Sequence, residues 1–333
     1  MNFSVVHDPS DRELAQVQAT DSSNPFASVA YAAARRVVGA RVVLFAEGSV
    51  NAIGYLNGHA ISRSLEIPSA PAQVGATTFW DGVHAFCRRH RVAEVDIGSF
   101  GARAVVLPSW PGRARLHERT EWILQLTSTD ASRFSSNHRR NISRALRLGV
   151  TTTSTTDPAV ADVHVRLMAA SMQRRSLRGE TVPMISPRDT RYERALLVTG
   201  AGRVYQALHE GNVVSSLLVL NALDGAYYQS AGTTPEGMEM GASTLLVSAI
   251  IRTLAADGLT VFNLGGAGPE SEGLRRFKSG FGAHPVTLAA GVYQTASPMH
   301  RKLRAAVRLL RNPAARHNRE SKSRDVTPDS TDR

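Results

Sequence analysis

One cysteine, Cys87, is all the thiol chemistry that a chain of 333 residues offers. An intramolecular disulfide and a thiolate zinc site each need at least two sulfurs close together, so both are excluded and a reducing compartment is the simple setting. Lysine is nearly as scarce: Lys278, Lys302 and Lys322 are the only three, against 36 arginines. Long apolar runs are missing as well. The longest, residues 213–223, is broken by Ser215, Ser216 and Asn221 and falls short of the roughly 20 residues a membrane helix needs. The first residues, Met1-Asn-Phe-Ser-Val-Val-His-Asp-Pro-Ser, show neither the basic nor the apolar region of a secretory leader, which sets the expectation of a cytoplasmic protein. Three familiar catalytic signatures are also lacking: the Gly-x-Ser-x-Gly elbow, the phosphate loop and His-Glu-x-x-His. His84 and His90 are six residues apart on an expected helix and face different ways, so no metal site is expected.

What is present suffices for a large folded body, since 42% of the residues are apolar. The net charge of +11 is uneven: from Pro298 onward ten Lys or Arg face four Asp or Glu, leaving +6 there and +5 for the rest. A basic tail of this kind suits an anionic partner such as RNA or a membrane surface, although a merely solvated tail explains it equally well. Division of the chain is expected at residues 1–130 for a first lobe, 131–150 for a basic linking helix, 151–297 for a second lobe, and 298–333 for a basic helix and disordered tail.

Periodicity predicts helices at residues 11–20 and after Asn24-Pro25-Phe26, then short strands at 42–46, 50–56 and 59–67, with Asn57-Gly58 as a hairpin turn. A helix over 77–90 and a strand over 93–97 follow. The second half repeats this order, with strands at 203–209, 213–221 and 226–231, a helix over 241–256 and a strand over 259–264. Aligning Val95-Asp-Ile-Gly-Ser on Phe262-Asn-Leu-Gly-Gly gives an offset of 167 residues, so the two halves read as duplicates. A strand over 286–294 and a last helix capped by Ser297 complete the pattern.

The chemistry is expected where the strand ending in Asn263-Leu-Gly265-Gly266 meets a short helix beginning near Glu272. Such a turn frees backbone N–H groups for an anion or for a carbonyl gaining negative charge. Lys278 lies in that helix and is the only lysine outside the tail. An ammonium is a compact donor whose pKa moves readily on burial, which suits it to stabilising one oxygen or leaving group. Packing of its stem on Phe277 or Phe281 is the plainer alternative. Arg140, Arg144 and Arg147 share one face of the linking helix, where they can hold phosphates or simply be solvated.

The segment Gly273-Leu-Arg-Arg-Phe-Lys-Ser-Gly-Phe-Gly282 resembles the Phe-Lys-x-x-Phe-Gly signature of the FemAB and BioF2-like branch of the GNAT acyltransferases, and 137–149 resembles the arginine-rich join between that family's lobes. The resemblance implies an α/β fold of two tandem GNAT-like lobes, each a mixed sheet flanked by helices, and transfer of an acyl or aminoacyl group to an amine, such as that of a cell-envelope precursor. It implies no bound cofactor. It places Phe277 and Lys278 at the donor site. Tyr228 is a further catalytic candidate, Gly241, Gly265, Gly266 and Asn263 are donor-binding candidates, and Arg140, Arg144 and Arg147 are acceptor or phosphate ligands. Glu270, Glu272 and Tyr228 are candidate bases. Where acyl-CoA enzymes of the superfamily carry a basic or amide residue leading the pyrophosphate loop, this chain has Met238-Glu-Met-Gly241-Ala-Ser243. The donor therefore stays open between acyl-CoA and aminoacyl-tRNA. The competing reading is a non-catalytic protein of the same fold that docks on RNA, or peripherally on an anionic membrane, through its basic helix and tail.

Overall fold

Local signals fix where the elements start. In the computed structural model, which describes residues 2–59, 63–72, 77–101, 105–126, 133–180, 182–268 and 270–295, the first half runs β1 (Ser4–His7), α1 (Asp11–Thr20), α2 (Val29–Val37), β2 (Arg41–Glu47), β3 (Val50–Asn57), β4 (Ser64–Ile67), α3 (Thr77–Arg89), β5 (Glu94–Gly98) and β6 (Arg113–Gln125). The basic helix α4 (Ser136–Arg147) follows, then β7 (Thr151–Thr155), α5 (Ala161–Leu177), α6 (Arg191–Val198), β8 (Gly202–His209), β9 (Asn212–Asn221), β10 (Gly225–Thr233), α7 (Pro235–Met240), α8 (Ala242–Ala256), β11 (Val261–Gly266), α9 (Glu272–Ser279) and β12 (His284–Gln294). A reciprocal capping box between Ser10 and Glu13 opens α1. Glu210 and Gly211, both at positive φ, form the two-residue turn joining β8 to β9. Asn57-Gly58 does not close such a turn: Asn57 pairs with Ser64, so the connection is longer and the third strand starts later than its β-favouring residues suggest. The last helix and the tail expected from the sequence lie outside the described residues.

All twelve strands form one mixed sheet in the order β1-β2-β3-β4-β5-β12-β6-β11-β10-β9-β8-β7. The duplication is visible in it. β2, β3 and β4 are successively antiparallel and β4 runs parallel to β5 after the crossover helix α3. β8, β9 and β10 are likewise antiparallel, and β10 runs parallel to β11 after α8. The outer neighbour of β5 is β12, from the second half, and that of β11 is β6, from the first. The halves have exchanged strands, and β6 and β12 pair along the whole length of β12.

Strand alternation covers both faces of each half. Val43 and Phe45 face α3, together with Phe79, Val83 and Phe86, while Val42 and Leu44 join a core shared with α1, α2 and α6. In β9, Leu218 and Leu220 enter that same shared core, and Leu217 and Val219 pack under α8. α8 is apolar almost all round and is accordingly buried.

α5 lies so close to β10 that a side chain at Gly232 would meet the backbone of Leu167. Where they touch, His164 is fully buried, with Nδ1 at 2.9 Å from Ser216 Oγ and Nε2 at 2.9 Å from Ser230 Oγ. Burial lowers its pKa to about 4. The unfolded chain takes up this proton near pH 6.5, well before the folded one, so the stability His164 contributes is complete above pH 6.5 and is lost as the pH falls toward 4. Thermal melts should therefore show a loss approaching 1.4 kcal/mol per pH unit from this group between those limits, and His164→Gln should make the acid side of the stability curve shallower.

Candidate active site

The parallel pairing of β10 with β11 stops at Tyr227 and Asn263. Beyond that point β10 continues with β9 and β11 with β6, so the two strands part, and a register shift between Tyr228 and Ser230 places Gln229 in a bulge at the fork. A cleft of about 950 Å³ opens there, walled by Tyr228 to Thr233 on one side and Leu264 to Gly266 on the other. The β11-facing edge of β10 has no ladder partner beyond Tyr227 among the described residues, and at its far end the Thr233 N–H and C=O are bonded to Ser171 and Arg174 of α5.

α9 brings Phe277 and Lys278 to the cleft. Lys278 is 3% exposed, its Nζ donates to the Gly266 carbonyl at 2.5 Å, and it lies 5.9 Å from the centre of the Tyr228 ring. Burial brings its pKa down to about 7; Glu121 pulls it up and Arg175 pushes it down. The Tyr228 phenol moves the other way, upward through burial, and so stays neutral and can donate a hydrogen bond but cannot serve as a base. Phe277 stacks edge-on against Phe281, and its carbonyl lies 2.8 Å from His138 Nε2. Burial disfavours the charged form of His138, so the neutral ring donates to Phe277 and ties α4 to α9 beside Lys278.

Beneath the cleft floor sits a carboxylate that sequence reasoning missed. Glu121 on β6 is fully buried. Its Oε1 accepts from Arg119 and, at 3.5 Å, from the Tyr227 hydroxyl; its Oε2 accepts from Asn263 Nδ2 at 2.7 Å. Asn263 Oδ1 in turn accepts from the Gly265 N–H at 2.8 Å. The Gly-Gly turn thus spends the Gly265 N–H internally and presents the Gly266 carbonyl to Lys278, instead of offering both N–H groups to a ligand as its sequence suggests.

Other expected residues lie apart from the cleft. Gly241, at positive φ, joins α7 to α8 and packs against the Asn141 carbonyl of α4; its neighbours Met238 and Ser243 line the cleft. Arg140, Arg144 and Arg147 line a separate shallow groove on the exposed face of α4. Glu272 is exposed and paired with Arg276, and neither it nor Glu270 lines the cleft. The cleft has its own charged lining in Arg174, Arg175, Arg178 and Arg191, with Asp189 and Glu193. Glu193 is 8% exposed and burial raises its pKa. Among the described residues no group of three or more His, Cys, Asp or Glu could hold a metal ion.

The comparisons agree with this geometry. Residues 132–279 match the model of the acetyltransferase (GNAT) domain. FemX superposes with a TM-score of 0.63 over 90% of this chain and 100% of its own, at 13% identity. L-PGS from Bacillus licheniformis gives 0.53 over 91% and 97%, at 14% identity. A tandem GNAT protein from the clavulanic acid biosynthesis pathway gives 0.53 over 89% and 99%, also at 14% identity. A sequence search of curated proteins gives no match. The forked parallel strand pair with its bulge, set in a duplicated mixed sheet, is the fold shared with that tandem GNAT protein. FemX shares this architecture over its whole length.

Because the folded pKa of Lys278 lies below its unfolded value near 10.5, burying this amine costs stability that grows as the pH falls from 10.5 to 7. Lys278→Met keeps the stem and removes the charge. Its Tm at pH 7 should equal or exceed that of the parent, whereas at pH 10 and above the difference should shrink.

Proposed function

We propose that the protein is an N-acyltransferase that moves an acyl or aminoacyl group from a thioester or ester donor to an amine, with both substrates meeting in the fork between β10 and β11. The observation that carries this reading is a buried lysine, its pKa brought down to about 7, at the mouth of a fork where two parallel strands part. The amine nitrogen attacks the donor carbonyl carbon and forms the C–N bond. Backbone N–H groups at the Gln229 bulge meet the developing oxyanion. As the C–S or C–O bond breaks, Lys278 gives its proton to the departing sulfur or oxygen. Glu193 is the cleft carboxylate fitted to take the proton that the amine loses, since burial raises its pKa toward the working range. No covalent enzyme intermediate is required.

An aminoacyl-tRNA donor is supported by the arginine stripe of α4, for which no carboxylate partner exists among the described residues at Arg140, Arg144 or Arg147. Acyl-CoA is supported by the GNAT domain match and by the cleft's reach to Ser243 at the start of α8. A cell-envelope precursor is the acceptor class we favour, in line with the likeness to FemX. No helix among the described residues is long and apolar enough to cross a membrane.

A thermal-shift panel of acetyl-CoA, long-chain acyl-CoA, charged tRNA and nucleotide-linked peptidoglycan precursors should show one donor and one acceptor stabilising the protein. With that pair, Lys278→Met should lower kcat/KM at least tenfold, about 1.4 kcal/mol of barrier. Glu193→Gln should lower the rate most on the neutral and alkaline side, where the parent carboxylate is ionised, and least at the acid end, where the parent has itself lost its base. Full activity in Lys278→Met would remove the assignment of the site, and polyanion binding without transfer to any amine would favour the non-catalytic reading.

A further inference from the structure

We propose that Glu121, carried into the second half by the exchanged strand β6, is the positioning residue of the site: it holds the Gly265–Gly266 turn through Asn263 and stands opposite Gly266, whose carbonyl receives Lys278, so that its charge acts on that amine. The role in catalysis rests on the transferase reading above; the coupling to Lys278 does not.

Three observations converge on this residue. Glu121 is the partner of Gly266 in the β6–β11 ladder, immediately beyond the irregularity that separates the pairs at Asn263 and Gly266. Its two oxygens are occupied by Arg119, Tyr227 and Asn263, and the chain of hydrogen bonds continues through Asn263 to the Gly265 N–H, one residue from the carbonyl that receives Lys278. The carboxylate is fully buried and ion-paired with Arg119, in a medium where a charge is felt further than in water. Lys278 lies within that field but beyond ion-pair distance of the carboxylate, so Glu121 favours the ammonium without locking its proton in a salt bridge. Arg119, which also donates to the Ser99 carbonyl, offsets part of the negative charge. Glu121 does not line the cleft and acts through Lys278 and the turn alone.

The scarcity of lysine makes a direct test practical. With 13C at lysine Cε, the full chain gives three side-chain signals, from Lys278, Lys302 and Lys322, and the signal lost in Lys278→Met is that of Lys278. In the parent its titration midpoint should lie near 7. Glu121→Gln keeps most of the hydrogen bonds but removes the charge, and should move the midpoint at least about half a unit lower. Arg119→Gln, at a partly exposed position that spares the carboxylate, should move it higher and decides the question if Glu121→Gln does not fold. In the active enzyme the alkaline limb of kcat/KM should follow the midpoint in each variant. A midpoint unmoved in both variants of an active enzyme overturns the coupling while leaving the transferase reading intact. Midpoints that move as stated, in a protein that transfers to no amine, uphold the coupling and remove the transferase reading.

Discussion

The pairing of β6 with β12 at the centre of the sheet is the constraint on which the rest depends. Each strand follows its own half in sequence yet borders the parallel pair of the other, so eleven consecutive residue pairs join segments that are more than 150 residues apart along the chain. Long-range pairing of this kind is costly in loop-closure entropy and is recovered only when both halves are folded. The result is a single sheet in place of two independent ones. It also means that β11, whose end forms one wall of the cleft, rests on a strand from the first half. Glu121 and the cleft residues it serves thus come from different halves of the chain.

Much of the second half was legible because its signals are local. The turn at Glu210-Gly211, the apolar α8, the Gly-Gly end of β11 and the Phe277-Lys278 pair each announce themselves within a few residues, and the repeat supplies their order. β6 was not legible. Its sequence from Arg113 to Glu121 is dense in charge, and its first six residues are exposed, so the alternation that marks a half-buried strand is absent until Trp122. Its place is set by the partner strands, which the sequence states nowhere. Glu121 was therefore invisible as a site residue: its meaning comes from Asn263 and Tyr227, each more than 100 positions away. Arg140, Arg144 and Arg147 illustrate the opposite case, since their helical spacing correctly puts them on one face, but spacing cannot tell which groove that face lines.

Burial does two jobs at Lys278, and they pull against one another. Removing water from the ammonium brings its pKa close to neutrality, where a group can both hold and release a proton at useful rates. The same desolvation would, unopposed, strip the proton altogether and leave a neutral amine with nothing to give a leaving group. Two features of the fold oppose it. The Gly266 carbonyl gives the ammonium a hydrogen-bond acceptor, and the Glu121 carboxylate gives it a favourable field, against which the charge of Arg175 acts. Each of the first two contributions depends on β6, since Gly266 is paired with Glu121 itself. A lone second half, with β11 left as an open edge, would retain the Phe-Lys signature but lose the surroundings that give the lysine its proton affinity. The exchange of strands thus sets the surroundings of Lys278 as well as the fold.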